Sequence, residues 1–192
     1  GGAGADDKPA YGDAIVFGTI GDASTLIPML ASDSASHEYA GNIFEGLVAY
    51  DKTLSTLEPR LAESWDVEDG GQRITFHLRR DVKWTDGHPF TAEDVLFTWN
   101  DIMYNPEFNR MTFDLFRIGG RSFAVTRVDE FTVQVVTPEV FAPLVEFFGI
   151  VPILPKHTLA GAVKAQLPQI CDRARWWNPI SETYTKTVVY AG

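Results

Sequence analysis

Cysteine is almost absent from this chain, and positive charge is scarce. Cys171 is the one cysteine among 192 residues, so the chain cannot form an intramolecular disulfide or a cysteine-based zinc site. Lys and Arg number 16 against 26 Asp and Glu, which gives a formal net charge of −10. Because so acidic a surface repels phosphate backbones and anionic lipids, we expect no nucleic-acid partner.

Long apolar runs are also missing. The longest nearly uncharged stretch, FAPLVEFFGIVPILP at 141–155, contains Glu146 and three prolines. It is shorter than the run of about 20 apolar residues that a membrane-spanning helix needs. The opening GGAGADDKPAYGD has no basic segment followed by an apolar one, so we expect no signal peptide within it.

Sequence motifs of catalysis and metal binding are lacking. The pattern H-E-x-x-H does not occur, nor do G-x-S-x-G, the Walker A loop or G-x-G-x-x-G. No pair of histidines has a spacing typical of metal ligands; the four are His37, His77, His88 and His157. An enzyme hypothesis can use only the group of Asp86, His88 and Glu93, with Asp94 beside it. We therefore expect no metal, no cofactor and no catalytic residue.

The stretch VKWTDGHPFTAEDVLFTW at 82–99 contains that polar group, and it also has the pattern of a capped helix. Thr91 is followed three residues later by Asp94, which matches a capping box. Phe90 and Val95 occupy the positions of a hydrophobic staple. The apolar stripe of the predicted helix continues through Leu96, Trp99, Ile102 and Met103. Structural roles therefore account for these polar residues, which favours a scaffold over a catalytic centre.

Alternating apolar and polar residues predict two β-hairpins. In the first, Ile74, Phe76 and Leu78 alternate with polar residues after the turn sequence DGG at 69–71. The second pairs residues 122–128 with 131–137.

The first fifty residues suggest a mixed pattern. We predict a strand at 13–20, a loop that contains Pro28, and a helix within 34–50 that ends near Gly46. The apolar stripe of that helix is expected at Tyr39, Ile43, Phe44 and Leu47.

Five motifs in a fixed order make the chain recognisable. They are F-E-G-L, L-A-E-S-W, F-x-L-R, V-K-W-x-D-G-x-P-F-T-A-E-D-V, and V-P-I-L-P-K-H at 151–157. In this order they resemble the N-terminal half of family 5 extracellular solute-binding proteins, the oligopeptide-, dipeptide- and nickel-binding components of ABC importers. The resemblance covers about residues 14–158 and rests on separated motifs.

The resemblance implies an α/β (α+β) fold, the N-terminal lobe of a class II periplasmic-binding-protein-like structure. Its mixed β-sheet is joined by a β-rich subdomain with hairpins and flanking helices. We expect a flexible tail at 1–12; the first strand, loop and helix of lobe I at 13–47; the β-rich subdomain at 48–150; and at 151–192 a return segment to lobe I with an atypical tail. Family members are longer and close two lobes on a ligand. No counterpart of the second lobe is present, nor of the segment N-P-x-G-T-G-P-Y, so the sequence resembles a partial, single-lobe form.

The resemblance also implies a function and a site. The expected function is to bind a peptide or related small solute and deliver it to membrane permease subunits, without catalysis, in the periplasm or at the cell surface. The loop between the first strand and helix would face the ligand; its residues are Met29, Leu30, Ala31, Ser32, Asp33 and Ser34. Tyr39 and Phe148 are further ligand-binding candidates, and Asp33 could pair with a ligand amino group. The alternative is that the loop only anchors the helix and that both aromatic residues belong to the core.

Two other functions stay open at this point. One is a single-lobe peptide-binding, chaperone-like or sensor module that is not coupled to transport. Such a module would self-associate through the face that a second lobe would otherwise cover. The other is an enzyme that uses Asp86, His88 and Glu93.

Overall fold

The computed structural model describes residues 22–105 and 115–166. The predicted tail at 1–12, the predicted strand at 13–20, Cys171 and the remainder of the C-terminal segment lie outside these residues. Every strand pair in the described part is antiparallel. The predicted mixed sheet would involve the strand at 13–20 and is therefore not tested.

A four-stranded sheet forms the centre of the structure, with strand order β3-β4-β8-β7. Two small hairpins, β1 with β2 and β5 with β6, accompany it. The strands are β1 (Val48–Tyr50), β2 (Leu57–Pro59), β3 (Ala62–Glu68), β4 (Arg73–Leu78), β5 (Arg117–Ile118), β6 (Arg121–Ser122), β7 (Ala124–Asp129) and β8 (Thr132–Val136). The helices are α1 (Ser34–Ile43), α2 (Ala92–Leu96), α3 (Leu144–Gly149) and α4 (Lys156–Gln166).

Both predicted hairpins are confirmed. The first is β3 with β4, joined by the turn Asp69–Gly71, in which Gly70 and Gly71 adopt positive φ angles of 66° and 97°. Ile74, Phe76 and Leu78 point into the core, as their alternation predicts. The second hairpin is β7 with β8, and β8 also pairs with β4, so that the two hairpins form one sheet.

The first helix differs from its prediction in length and in its buried face. α1 ends at Ile43, and the backbone is extended by Phe44. Its buried residues are Ala35, Ser36 and Ala40, whereas Tyr39 is 39% exposed, so the predicted stripe is wrong at Tyr39.

Gly46 serves close packing and does not end α1. A Cβ atom at this position would lie 2.5 Å from the carbonyl oxygen of Gly149. One residue earlier, the carbonyl oxygen of Glu45 accepts a hydrogen bond from the backbone N–H of Ile153 at 2.9 Å. The backbone segment that precedes the sheet region is therefore in contact with the segment that follows it.

The capped helix is confirmed. The Thr91 backbone N–H donates to Asp94 Oδ2 at 3.0 Å, and Thr91 Oγ1 accepts from the Glu93 N–H at 3.3 Å. Phe90 and Val95 are both buried, as a hydrophobic staple requires. Beyond α2 the chain continues as a π-helical segment, Phe97–Met103, which the apolar pattern does not predict.

An aromatic core lies between the sheet and these helices. The rings of Trp99 and Phe148 stack with centroids 4.0 Å apart and an interplanar angle of 9°. Phe148 also stacks on Phe76 of β4 at 5.6 Å, and Phe116 meets Trp99 edge-on at 4.8 Å. All four aromatic side chains are buried.

The return segment after α3 runs along α2 and its π-helical continuation. The Leu154 N–H donates to Thr98 Oγ1 at 2.9 Å, and the Lys156 N–H donates to Asp94 Oδ1 at 2.8 Å. These bonds place the start of α4 beside the start of α2. Among the helices of the described residues, none combines the length and apolar character needed to cross a membrane.

Candidate functional site

Residues 82–90 form a tight turn in which the Trp84 N–H donates to the His88 carbonyl oxygen at 2.8 Å, and its polar side chains hold the start of α4 in place. Asp86 Oδ1 accepts a hydrogen bond from the His88 N–H at 3.0 Å, and Asp86 Oδ2 lies 2.6 Å from His157 Nε2. The imidazole rings of His88 and His157 stack with centroids 4.1 Å apart at an angle of 15°. The backbone hydrogen bond from His88 is the first cause of the lowered pKa of Asp86, and the contact with His157 adds to it.

Glu93 belongs to a different set of contacts. Its carboxylate accepts from Arg127 Nη1 at 2.8 Å and from Lys156 Nζ. The hydrogen bonds from Lys156 and then Arg127 lower the pKa of Glu93, which is therefore ionised and paired with two cations. The structure thus brings Asp86 and His88 together with His157, while Glu93 is engaged elsewhere.

Asp94 is a buried carboxylate that serves three segments. It is 3% exposed and accepts hydrogen bonds from the Thr91 N–H, from Trp84 Nε1 at 3.3 Å and from the Lys156 N–H. Burial raises the pKa of Asp94, against the opposing effect of these donors. Both carboxylate oxygens accept hydrogen bonds at the start of α2. The side chain therefore has a structural role, because it links α2 to Trp84 and to the start of α4.

No metal centre is evident in the part of the chain that the structure describes. Residues 22–105 and 115–166 contain no group of three or more His, Cys, Asp or Glu side chains that could hold a metal ion. The two remaining histidines have other hydrogen-bond partners. His37 Nδ1 lies 2.9 Å from the Asp33 carbonyl oxygen, and His77 Nε2 lies 2.9 Å from Asp66 Oδ2.

The predicted ligand loop, 29–34, overlaps a single 3-10 turn, Pro28–Leu30, and its last residue, Ser34, is the first residue of α1. Asp33 is the N-cap of α1: its Oδ1 accepts from the Ser36 N–H at 2.8 Å. Its Oδ2 accepts from the hydroxyls of Ser24 at 2.5 Å and Ser36 at 2.7 Å. These bonds, that from Ser24 first, lower the pKa of Asp33 to about 2. The carboxylate is consequently ionised at any neutral or mildly acidic pH.

Ser36 connects Asp33 to the segment that precedes the loop. It is fully buried, and its Oγ accepts from the backbone N–H groups of Ser24 at 2.9 Å and Thr25 at 3.2 Å while it donates to Asp33. Sequence reasoning missed both Ser24 and Ser36. Asp33 is a favoured N-cap residue, and such a cap accepts from the backbone N–H two or three residues on, which could have indicated the contact with the Ser36 N–H. Nothing local to Ser24 indicates its contact with Asp33.

The other predicted site residues divide between surface and core. Ser32 and Ser34 are exposed, Ala31 is partly exposed, and Met29 packs against the core. Leu30 contributes its backbone to the turn. Tyr39 is on the surface, whereas Phe148 is 0% exposed between Trp99 and Phe76. Phe148 is thus a core residue, which was the alternative left open for it. Ligand contact by the loop and by Tyr39 stays a prediction.

Comparisons with known proteins agree on one family. The model of bacterial extracellular solute-binding proteins, family 5 Middle, matches residues 56–189. A probable ABC transporter-binding protein from Deinococcus radiodurans is 30% identical over 149 residues, which is 76% of this chain and 24% of that protein. The periplasmic oligopeptide-binding protein OppA from Escherichia coli is 47% identical over 58 residues, or 30% of this chain and 10% of that protein.

The fold agrees with the same assignment. The crystal structure of the ABC transporter substrate-binding protein CtaP from Listeria monocytogenes matches with a TM-score of 0.67 and 27% identity. The match covers 74% of this chain and 28% of that one. It confirms the predicted fold class, a partial lobe of a periplasmic binding protein. The chain spans about a quarter of the length of the relatives that it matches over most of its own length. Since the family model matches more than half of the chain, this protein belongs to the family 5 bacterial extracellular solute-binding proteins.

Proposed function

We propose that this chain is part of the substrate-binding component of an ABC importer. The whole protein would bind a peptide or related small solute in the periplasm or at the cell surface and deliver it to the membrane permease subunits. The observation that carries the proposal is the family match over residues 56–189, together with a fold shared with CtaP.

A purely binding role agrees with the contacts of the polar cluster. Asp86 is bonded to His88 and His157, and Glu93 is paired with Arg127 and Lys156. A general base needs a free lone pair within reach of a substrate proton. The partners of these two carboxylates are all residues of the scaffold, which supports a structural role for both.

For the ligand surface we propose the loop from Met29 to Ser34, with Tyr39 beside it on α1. The support comes from the hydrogen bonds and the exposure of the loop residues. Ser36 bonds to Asp33 within the loop and to the backbone of Ser24 in the segment before it, while Ser32 and Ser34 stay exposed. A surface that is fixed before binding loses less conformational entropy when a ligand arrives. Phe148 is omitted from the proposed surface because it lies in the core.

A thermal-shift screen of the chain against di- to pentapeptides tests the proposal. A ligand that binds only the folded state raises the melting temperature by mass action. We expect a rise with a subset of peptides, its loss in Ser32→Trp, and its retention in Lys52→Trp, a matched change in another exposed loop. No rise with any peptide would contradict peptide binding by this chain, and equal rises in both variants would exclude the loop.

Self-association is a separate part of the proposal. A lobe without its partner lobe exposes the surface that the partner would cover. Light scattering on the same samples measures the mass: we expect a dimer that dissociates on dilution, and a strictly monomeric chain at high concentration would contradict this.

A further inference from the structure

Carboxylates from two other elements fix the start of α4. Asp94 of α2 accepts from the Lys156 N–H at 2.8 Å, and Glu93 of α2 accepts from Lys156 Nζ. Asp86 of the 82–90 turn lies 2.6 Å from His157 Nε2. The contact of Asp86 differs from the other two, because histidine is the side chain that ordinarily changes its charge between pH 5 and pH 8.

The hydrogen bond between His157 and Asp86 has a defined donor. The bond from the His88 N–H, and after it the contact with His157, lower the pKa of Asp86. Its side chain is therefore a carboxylate at neutral pH and can only accept. Nε2 of His157 consequently carries a hydrogen whether the imidazole is neutral or charged, and Nδ1 takes up the additional proton. Protonation keeps this hydrogen bond and converts it into an ion pair, which is stronger.

Titratable and charged side chains from three elements surround His157; they are Asp86 and His88 of the 82–90 turn, Glu93 and Asp94 of α2, and Lys156 of α4. Asp94 interacts electrostatically with His157, while the ammonium of Lys156 is paired with Glu93. The return segment 151–155 has no charged residue. Among these surrounding groups, His88 alone can add a positive charge as the pH falls below 8.

The ring of His88 lies on that of His157, with centroids 4.1 Å apart and an interplanar angle of 15°. A charged ring can stack on a neutral one in this way, whereas two charged rings repel each other at this distance. The first proton that enters the pair therefore gains an ion pair with Asp86. The second proton meets a like charge, so that the two protonation steps belong to the pair as a whole.

We propose that Asp86, His88 and His157 form a pH-sensitive latch, which fixes the start of α4 to the 82–90 turn most firmly when the two imidazoles share one proton. Near pH 8 the bond to Asp86 comes from a neutral ring and is weaker. As the pH falls to about 6, the charge on His157 strengthens the bond. At still lower pH the charge on His88 opposes it. The pH thereby sets how firmly α4 is attached to the turn, independently of any peptide.

Amide hydrogen exchange of the full chain between pH 8 and pH 5 tests the latch. The Leu159 N–H donates to the Pro155 carbonyl oxygen at 3.1 Å, so its protection reports local opening at the start of α4. The amides of β4 in the same sample report opening of the whole fold. After correction for the intrinsic effect of pH on exchange, we expect protection of Leu159 relative to β4 to rise about two- to fivefold from pH 8 to pH 6, the effect of one partly exposed ion pair. It should fall again toward pH 5.

Three substitutions separate the members of the latch. His157→Gln keeps a donor for Asp86 but cannot become charged, so the protection should no longer change with pH. Asp86→Asn keeps an oxygen for the His88 N–H and should give the same result, which covers the case in which glutamine at 157 disturbs α4. His88→Phe keeps a stacked ring without a charge, and should retain the rise to pH 6 while it loses the fall below it.

His77→Gln is the matched control. His77 Nε2 also lies close to a carboxylate, at 2.9 Å from Asp66 Oδ2, but this pair belongs to the β3–β4 hairpin. The profile at α4 should stay that of the wild type. A flat profile in the wild type, or a rise that survives both His157→Gln and Asp86→Asn, would overturn the proposal. A fall toward pH 5 that persists in His88→Phe would assign it to the buried Asp94 and overturn the role of His88.

Discussion

Phe148 and Tyr39 were both candidates for ligand contact, and replacing each by Ala separates a core role from a binding role. Phe148 is fully buried, and its ring centroid lies 4.0 Å from that of Trp99 and 5.6 Å from that of Phe76. Truncating such a residue removes its apolar contacts and leaves a cavity, which costs about 3–5 kcal/mol in the free energy of unfolding. Loss of the two ring contacts is already part of that cost.

This cost is large compared with the free energy of unfolding of a typical domain, about 5–15 kcal/mol. For a chain of this length, each kcal/mol lowers the melting temperature by about 2–4 °C. Phe148→Ala should therefore melt about 6–20 °C below the wild type. Tyr39→Ala, at a side chain that is 39% exposed, should change the free energy of unfolding by less than about 1 kcal/mol.

Urea denaturation followed by tryptophan fluorescence measures both variants, since the buried Trp84 and Trp99 are among the five tryptophans that contribute to the signal. The slope of free energy against urea should be similar in wild type and mutants, so that midpoints can be compared. The reasoning fails if Phe148→Ala retains wild-type stability, or if Tyr39→Ala is the more damaging change. Loss of peptide binding in a fully stable Phe148→Ala protein would return Phe148 to the ligand site.

Three further predictions concern the scaffold. Gly46→Ala should abolish cooperative unfolding or lower stability severely, because its Cβ would meet backbone atoms of Gly149 at 2.5 Å; Gly41→Ala, where a Cβ has open space, is the control by circular dichroism. Thr91→Ala should cost about 1 kcal/mol in urea unfolding, whereas Thr91→Ser should cost little because Ser also caps. The lowered pKa of Glu93 means that its contribution to stability is complete above its unfolded pKa and is lost as pH falls through the lower folded value. Urea midpoints between pH 7 and pH 3 should fall less steeply in Glu93→Gln, and a slope equal to that of the wild type would remove Glu93 from the acid response.

Structural features that depend on residues close together in the sequence could be predicted. This explains which parts of the fold were predicted correctly. The alternation of Ile74, Phe76 and Leu78 reports which face of a strand is buried, and the Thr91–Asp94 spacing reports a helix start. Both signals arise within a few residues. The family motifs then added the order of elements, which no local pattern contains.

Contacts between distant residues account for most of what was missed. Gly46 looked like a helix stop, but its role is set by Gly149. Asp86 gave no sign that it would meet His157. The exposure of Tyr39 depends on how α1 is rotated against the rest of the chain: the small residues Ala35, Ser36 and Ala40 are buried, and residue types alone do not indicate this.

In the ligand loop, too, a contact between residues apart in the sequence could not be predicted. Asp33 could be expected at a helix start, yet the bond from Ser24 that fixes its second oxygen spans nine positions through a turn. Because Ser and Asp bond readily to many partners in loops, their residue types alone do not indicate which contact will form.

Glu45 contacts Ile153, and Gly46 contacts Gly149 next to it. The two ends of the segment that contains the sheet are therefore in contact with each other. A segment whose two ends touch can lengthen, shorten or be exchanged without displacing what precedes and follows it. Evolution can therefore remodel the β-rich region independently of the loop at 29–34. In relatives, Gly46 should be retained whatever residue stands at 149, because its Cβ would meet backbone atoms of Gly149 and Ile150, whereas Gly149 should vary together with the residue at 48, because its Cβ would meet the Val48 side chain at 2.6 Å.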